Sequence, residues 1–262
     1  MAPADDYQGI QSVARALSIL EQFSDKVPSA TVNELAELTG LSRSTCYRFC
    51  RTLKQLGYLD EVGDGRYRPG LRAAALAYSA LSSRELPELA MPYLRRLRDE
   101  TNETVNMAVL SDTEVIYVAR LPSDHLISLR LYVGSRLPAY ASSLGRAILA
   151  FLPEDAARSV IDRSQMTAIT PNTISDRDQL WAELRIVRRQ GYAVNDQGVA
   201  IGLRGVAAPV LTHDGNPIAA INVSIPHPLT SPLVSEEVLA PKVIATAREI
   251  GALASMVAPE HL

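Results

Sequence analysis

TVNELAELTGLSRSTCYRFCRTLKQLGYLDEVGDGRYRP, residues 31–69, decides the architecture of the first part of the chain. Thr31 is placed to cap the free amides of a helix, and Glu34 three residues on completes a capping box. Gly40 ends that helix. Ser42 then stands as the N-cap of a second one, whose apolar positions Cys46, Phe49, Leu53 and Leu56 recur at helical spacing and are expected to face inward. Arg43, Ser44, Thr45, Tyr47, Arg48 and Arg51 are left at its start and on its outer face, a set of donors that suits phosphates and base edges. After Gly57, residues 58–62 read as a strand, Gly63-Asp64-Gly65 as a tight turn and residues 66–68 as the returning strand. Helix, glycine turn, basic helix and basic hairpin in this order make a winged helix-turn-helix.

Between residues 42 and 72 the bases Arg43, Arg48, Arg51, Lys54, Arg66, Arg68 and Arg72 face only Asp60, Glu61 and Asp64, whereas the whole chain carries a formal charge of -3. A local basic patch on an acidic chain fits a module that docks on a polyanion with one face. Thr31, Ser42, Arg43, Ser44, Thr45, Tyr47, Arg48 and Arg51, with Arg66 and Arg68 on the wing, are therefore the candidate contacts to double-stranded DNA. A solvated basic helix in an unrelated α protein would carry the same charges, but not the cap, turn and wing around them.

At 262 residues the chain is too long for this module alone and fits two domains. Apolar residues make up 47% and charged residues 21%, so most of it can bury a core. No run of about 18 apolar residues is present, and the opening residues 1–6 are acidic rather than a signal start, so a cytoplasmic location with no membrane association is expected. Cys46 and Cys50 are spaced for one side of a helix. No His or acid joins them, which favours small buried hydrophobes over half a metal site, and no metal or cofactor is assigned.

Residues 12–23 carry Val13, Ala16, Leu17, Leu20 and Phe23 on one face, read as a supporting helix. Past the wing, residues 71–81 and 86–100 are helical patterns broken near Pro87. They read as a linker whose apolar surface invites a second copy of the chain. From Thr104 the period is two: residues 105–110 and 114–118 flank a turn at Ser111-Asp112-Thr113, and residues 126–133 read as a half-buried strand. Helical patterns follow at 144–152, 154–162 and 176–190, then strands at 192–195, 203–211 and 218–225, a turn at 213–216 and a closing helix over 235–256. Strands and helices without regular alternation imply an α+β domain with a mostly antiparallel sheet. The expected division is 1–70 for the winged module, 71–100 for the linker and pairing region, and 101–262 for the second domain.

Four blocks, QSVARALSILEQFS at 11–24, ELAELTGLSRSTCYRFCRTLKQLGYL at 34–59, LPAYASSLGRAILA at 137–150 and GYAVNDQGVAIGLRGVAAPV at 191–210, give the chain its resemblance to the IclR family of bacterial transcriptional regulators. Within it, YVARLPSD at 117–124, VGSRLPAYASSLGRAIL at 133–149 and the run from Asp196 are most similar to regulators of protocatechuate and 4-hydroxybenzoate breakdown, the β-ketoadipate pathway group. The resemblance implies a GAF-like effector domain behind the winged head, homodimers or dimers of dimers, action as repressor or activator with RNA polymerase contact for an activator, and a small organic acid effector, aromatic in this subgroup. Carried over by position, the pocket residues are Ser142, Ser143, Leu144, Gly145, Asn195, Leu203, Gly205, Asn222 and Ser224. The start of the helix after LPAYASS offers free amides and a positive dipole end that suit a carboxylate.

Relatives often carry Glu where this chain has Gly198, Ser or Cys where it has Gly205, and an acid at Asn195, which implies a roomier and less acidic pocket unless the glycines serve backbone geometry. Arg130, opposite the aliphatic row of its strand, is one further candidate for pairing with a ligand carboxylate. An exposed strand arginine or an internal salt bridge is the stronger reading of it, because charged strand positions face water.

Three functions compete. The first is a regulator in which an effector changes the arrangement of paired winged heads on half-sites about 34 Å apart. Its effector is an aromatic acid or a non-aromatic carboxylate such as a 2-oxo acid. The second is an enzyme acting on a small organic acid with a fused DNA-binding head. Only four His are present, at 125, 213, 227 and 261, and no G-x-S-x-G elbow, phosphate-cradling loop or H-E-x-x-H motif supports it. The third, an architectural DNA-binding protein, leaves most of the chain without a role.

Overall fold

The computed structural model describes residues 10–24, 27–82, 85–123, 131–226 and 235–257. It divides into two units, Met1–Ser83 and Arg84–Leu262.

In the first unit the order is α1 (Gln11–Leu20), β1 (Ala30–Thr31), α2 (Val32–Thr39), α3 (Arg43–Gln55), β2 (Leu59–Val62), β3 (Arg66–Pro69) and α4 (Leu71–Ser82). The hairpin β2–β3 is antiparallel and turns through Asp64 and Gly65, whose positive φ of 64° and 67° suit the right-handed twist of its strands. Ile19, Ala30, Leu35, Cys46, Cys50, Leu53, Leu59 and Tyr67 form the core. β1 is only two residues long and pairs with β3, too short to leave a period in the sequence.

Two expectations about faces are corrected here. On α1, Val13 and Leu17 are 53% and 52% exposed, and Ile19 is the residue that enters the core with Leu20 and Phe23 beside it. Apolar residues surround most of this helix, so periodicity alone leaves its rotation open, and packing on α2 and α3 decides it. On α3, Leu56 is 48% exposed because it is the C-cap residue, outside the last helical turn, while Cys50 takes the inward position.

The second unit contains α5 (Glu85–Thr101), β4 (Thr104–Ser111), β5 (Glu114–Leu121), β6 (Arg136–Pro138), α6 (Ser143–Leu149), α7 (Glu154–Arg163), α8 (Arg177–Gln190), β7 (Ala193–Asp196), β8 (Leu203–Leu211), β9 (Pro217–Pro226), a π-helical turn over Ser235–Leu239 and α9 (Ala240–Val257). Its six strands run in the order β6-β5-β4-β9-β8-β7, every pair antiparallel. Ala108, Tyr117, Ala207 and Ala220 on one face pack with α6 and α8. The alternate residues Val105, Met107, Val206, Ala208, Ile221 and Val223 are buried too, and the period of two turns them to the face where α5 and α9 pack.

The fold class is α+β. Residues 126–130, including Arg130, lie outside the described residues, and Leu131, Tyr132 and Val133 are not in a strand. Gly134, at a φ of 94°, turns the chain there, and the Ser135 carbonyl accepts the Tyr117 amide at 3.0 Å, leading into the short strand β6 that alternation does not mark. Pro87 falls inside the first turn of α5, where a missing amide costs little, rather than at a break.

Candidate functional site

In the first unit, Thr31 Oγ1 accepts the Glu34 amide at 3.3 Å and Glu34 Oε2 accepts the Thr31 amide at 2.7 Å, which closes the capping box of α2. The Thr31 amide, with its hydroxyl and Arg66, holds the Glu34 carboxyl below its ordinary range. Gly40 ends α2 at a φ of 70°, a conformation that glycine adopts without strain. Ser42 then caps α3, accepting the Thr45 amide at 3.3 Å and donating to the Thr45 hydroxyl at 2.8 Å.

Ion pairs sort the basic residues of this unit. Lys54 pairs with Glu61, Arg68 lies 3.8 Å from Asp60, and Arg66 binds Glu34 and the Ser29 carbonyl. Arg72 donates to the Leu56 carbonyl and lies over the Tyr58 ring. Arg43, Arg48 and Arg51 are exposed and have no acid partner among the described residues. Acids therefore neutralise Lys54 and the wing arginines, while three guanidinium groups without an acid partner among the described residues collect on α3 beside Ser44 and Tyr47, the latter 51% exposed. Thr31 and Arg66 meet at the start of α2 and are engaged within the unit. Arg68 stays on the exposed wing.

Cys46 and Cys50 lie side by side in the core with 3.9 Å between their sulfurs, and burial raises both thiols, Cys50 to about 12. Such thiols are protonated and inert at neutral pH. The native chain is expected to resist iodoacetamide at mildly alkaline pH and to take up two equivalents once denaturant opens the core; mass spectrometry reads the difference.

In the second unit a cavity of about 20 Å³ lies against the sheet beneath the start of α6. Of the residues expected from sequence, Ser142, Ser143, Asn195, Leu203, Gly205, Asn222 and Ser224 line it. Leu144 and Gly145 do not. Leu144 is fully buried in the core, and Gly145 lies on the Ala139 backbone, which a Cβ at position 145 would meet at 2.2 Å. The Gly145 amide is already taken by the Ser142 hydroxyl at 3.0 Å, so this seven-residue helix offers fewer free amides than its sequence suggests. Buried Arg146 donates to the Val194 carbonyl at 2.7 Å and ties α6 to β7 next to Asn195.

The glycines do not make the cavity roomy. The Gly198 amide donates to Asn195 Oδ1 at 3.1 Å, and a Cβ at 198 would stand 2.6 Å from that oxygen, so glycine here permits close approach. A Cβ at Gly205 would come within 3.2 Å of Ser143 Oγ and 3.3 Å of Asn222 Nδ2. The missing side chain at 205 is thus faced by two polar groups.

Sequence reasoning missed part of this site. Tyr117, Leu131, Leu137, Val199 and Arg204 also line the cavity, and a polar row crosses the sheet beside it. Arg120 on β5 donates to Asn106 Oδ1 at 2.9 Å, and Asn106 Nδ2 donates to Asn222 Oδ1 at 2.8 Å. These residues are register partners, Asn106 opposite both Arg120 and Asn222. The available signal was Asn106 inside an apolar run, since a polar group buried in a sheet must be hydrogen-bonded. Burial pushes the Arg120 guanidinium below its ordinary range.

Comparison with known proteins places both units. Residues 12–63 match the IclR helix-turn-helix domain, and residues 78–252 match the C-terminal domain of bacterial transcriptional regulator IclR. The Pca regulon regulatory protein of Pseudomonas putida is 37% identical over 215 residues, 81% of this chain and 73% of that protein. The p-hydroxybenzoate hydroxylase transcriptional activator of Acinetobacter baylyi is 34% identical, covering 83% of this chain and 81% of that one. Among solved structures, an IclR homolog from Microbacterium hydrocarbonoxydans complexed with 4-hydroxybenzoate superposes with a TM-score of 0.78 at 26% identity, over 92% of this chain and 97% of that chain. These relatives are regulators and not enzymes, and with the winged unit, the unneutralised arginines of α3 and the domain that follows in sequence, the chain belongs to the IclR family of bacterial DNA-binding transcriptional regulators.

Proposed function

We propose that the winged unit binds operator DNA through α3 and that the cavity beneath α6 receives a small organic acid, an aromatic one foremost, whose binding rearranges paired heads in a homodimer or dimer of dimers. In this reading residues 1–70 are the DNA-binding domain, 71–100 connect and pair the subunits, and 101–262 sense the effector. The observation that carries it is the cavity's lining, where the Ser143 and Ser224 hydroxyls and the Asn195 and Asn222 amides converge. Likeness to relatives named for p-hydroxybenzoate regulation, and to a structure holding 4-hydroxybenzoate, supports the aromatic class.

The volume sharpens the mechanism. About 20 Å³ admits a single water, far below the ~150 Å³ of a cavity known to take up benzene. A ring acid therefore binds an opened state of this unit and not the closed one, and that difference in affinity is what allows an effector to shift a population. A 2-oxo acid such as pyruvate, which would need less opening than a ring acid, is the second reading.

Thermal unfolding with 4-hydroxybenzoate, protocatechuate, β-ketoadipate and pyruvate tests both readings, because a ligand of the native state raises the midpoint by mass action. The effective compound is expected also to change operator affinity in a gel shift. Gly205→Ala fills the gap between Ser143 and Asn222, whose side-chain ends can give by the few tenths of an ångström required. It is expected to lower effector affinity by tenfold or more, in the ~1–3 kcal/mol range of overpacking, with basal DNA binding unchanged. An unchanged response in Gly205→Ala would place the ligand elsewhere.

A further inference from the structure

The hydrogen-bond row beside the cavity has a direction. Arg120 can only donate, so the Asn106 atom facing it is the carbonyl oxygen, and the other end of that amide is NH2. That NH2 donates to Asn222, which must therefore turn its own carbonyl toward Asn106 and its NH2 the other way, toward Gly205. Asn195 is fixed independently: the Gly198 amide, also a pure donor, holds its carbonyl and leaves its NH2 as the remaining polar end. Asn106, Asn195 and Asn222 are 1%, 5% and 6% exposed, so each orientation is enforced by buried partners and not by solvent.

We propose that Arg120 is a positioning residue that sets the polarity of the effector cavity through Asn106, so that Asn222 together with Asn195 presents donors and the site selects ligands with acceptors, carboxylates or carbonyls, over those with N–H groups at the same place. This rests on the cavity being the effector site. The pair of neutral-side-chain donors also explains how an anion can be recognised where the described lining holds no cation except Arg204, whose Nε is committed to Asp196 at 2.8 Å. A ligand bearing NH2 opposite Asn222 would leave two buried donors facing each other, each without an acceptor.

Asn106→Asp reverses the row. The carboxylate introduced there still accepts from Arg120 but has no N–H for Asn222, which then turns its NH2 toward that carboxylate and its carbonyl toward Gly205. The ratio of affinities for 4-hydroxybenzaldehyde and 4-hydroxybenzamide, at a mildly acidic pH where both phenols are neutral, reads the change by calorimetry on the full chain. The wild type is expected to favour the aldehyde by about tenfold or more and Asn106→Asp to favour the amide. Arg120→Met should bring the ratio toward one and Arg120→Lys, which still donates, should restore it. A ratio unmoved in Asn106→Asp overturns the proposal, as does equal binding by the wild type. Absence of binding of every aromatic probe by the wild type overturns the aromatic reading of the cavity instead. The orientation is then read without ligand, as a nuclear Overhauser contact from the Asn222 side-chain NH2 to the Gly205 Hα that is present in the wild type and lost in Asn106→Asp; its absence from the wild type also overturns the proposal.

Discussion

Gly145→Ala is expected to disrupt the effector unit, the largest effect of a single methyl group argued from this structure. A Cβ at 145 would lie 2.2 Å from the Ala139 carbonyl oxygen and 2.4 Å from its Cα, both backbone atoms with no rotamer to escape into. Ala139 cannot retreat, because it is fully buried, its amide donates to the Thr113 carbonyl at 3.0 Å, and β6 immediately before it is paired with β5. Helix α6 would have to move off the sheet as a body, and its residues are all buried. A cost of about 3 kcal/mol or more follows, at the upper end of overpacking penalties. Denaturant unfolding followed by circular dichroism checks this, and a midpoint close to that of the wild type would show that α6 can shift freely. Gly205→Ala, whose two tight contacts are both with side-chain ends, is the matched control.

Arg48→Ala is expected to weaken operator binding by about 5- to 150-fold if the guanidinium reads a base edge, the range of ~1–3 kcal/mol for such contacts. If it binds phosphate, the loss is uniform across sequences and the salt dependence falls by about one ion. Either way folding is unaffected, since Arg48 is exposed and has no acid partner to strand among the described residues. Gel shifts at two salt concentrations on the operator and on random duplex separate the two modes. Unchanged affinity in both would remove Arg48 from the interface. Arg66→Ala should behave differently: its guanidinium binds Ser29 and Glu34, so its loss is felt first by the start of α2.

The elements legible in the sequence were those whose ends are fixed by local chemistry. Thr31 with Glu34, Gly40, Ser42 and the Asp64-Gly65 turn each satisfy a requirement written within four residues, and each stands where it was expected. Strand β8 was read to its limits because its apolar run is bounded on both sides by turn-forming residues. Rotation of α1 was not legible, because Val13, Leu17 and Ile19 are all apolar and only the neighbouring helices choose among them. Nor was the Arg120–Asn106–Asn222 row, whose members come from three strands and are more than a hundred positions apart at the extremes. Position alone assigned Leu144 and Gly145 to the cavity with Ser142 and Ser143, but a helix rotates about 100° per residue and carries them away from it.

If the small cavity is the effector site, its volume also bears on the amount of compound needed. If only a small fraction of molecules is open at any moment, the concentration of compound needed for a response rises in inverse proportion to that fraction. On the proposal that this chamber, which admits one water when empty, is the effector site, the rarer the open state is, the more compound a given intrinsic affinity needs for a response. Substitutions that loosen the packing around α6 without touching the lining are expected to make the same regulator respond to scarcer compound, trading stability for sensitivity.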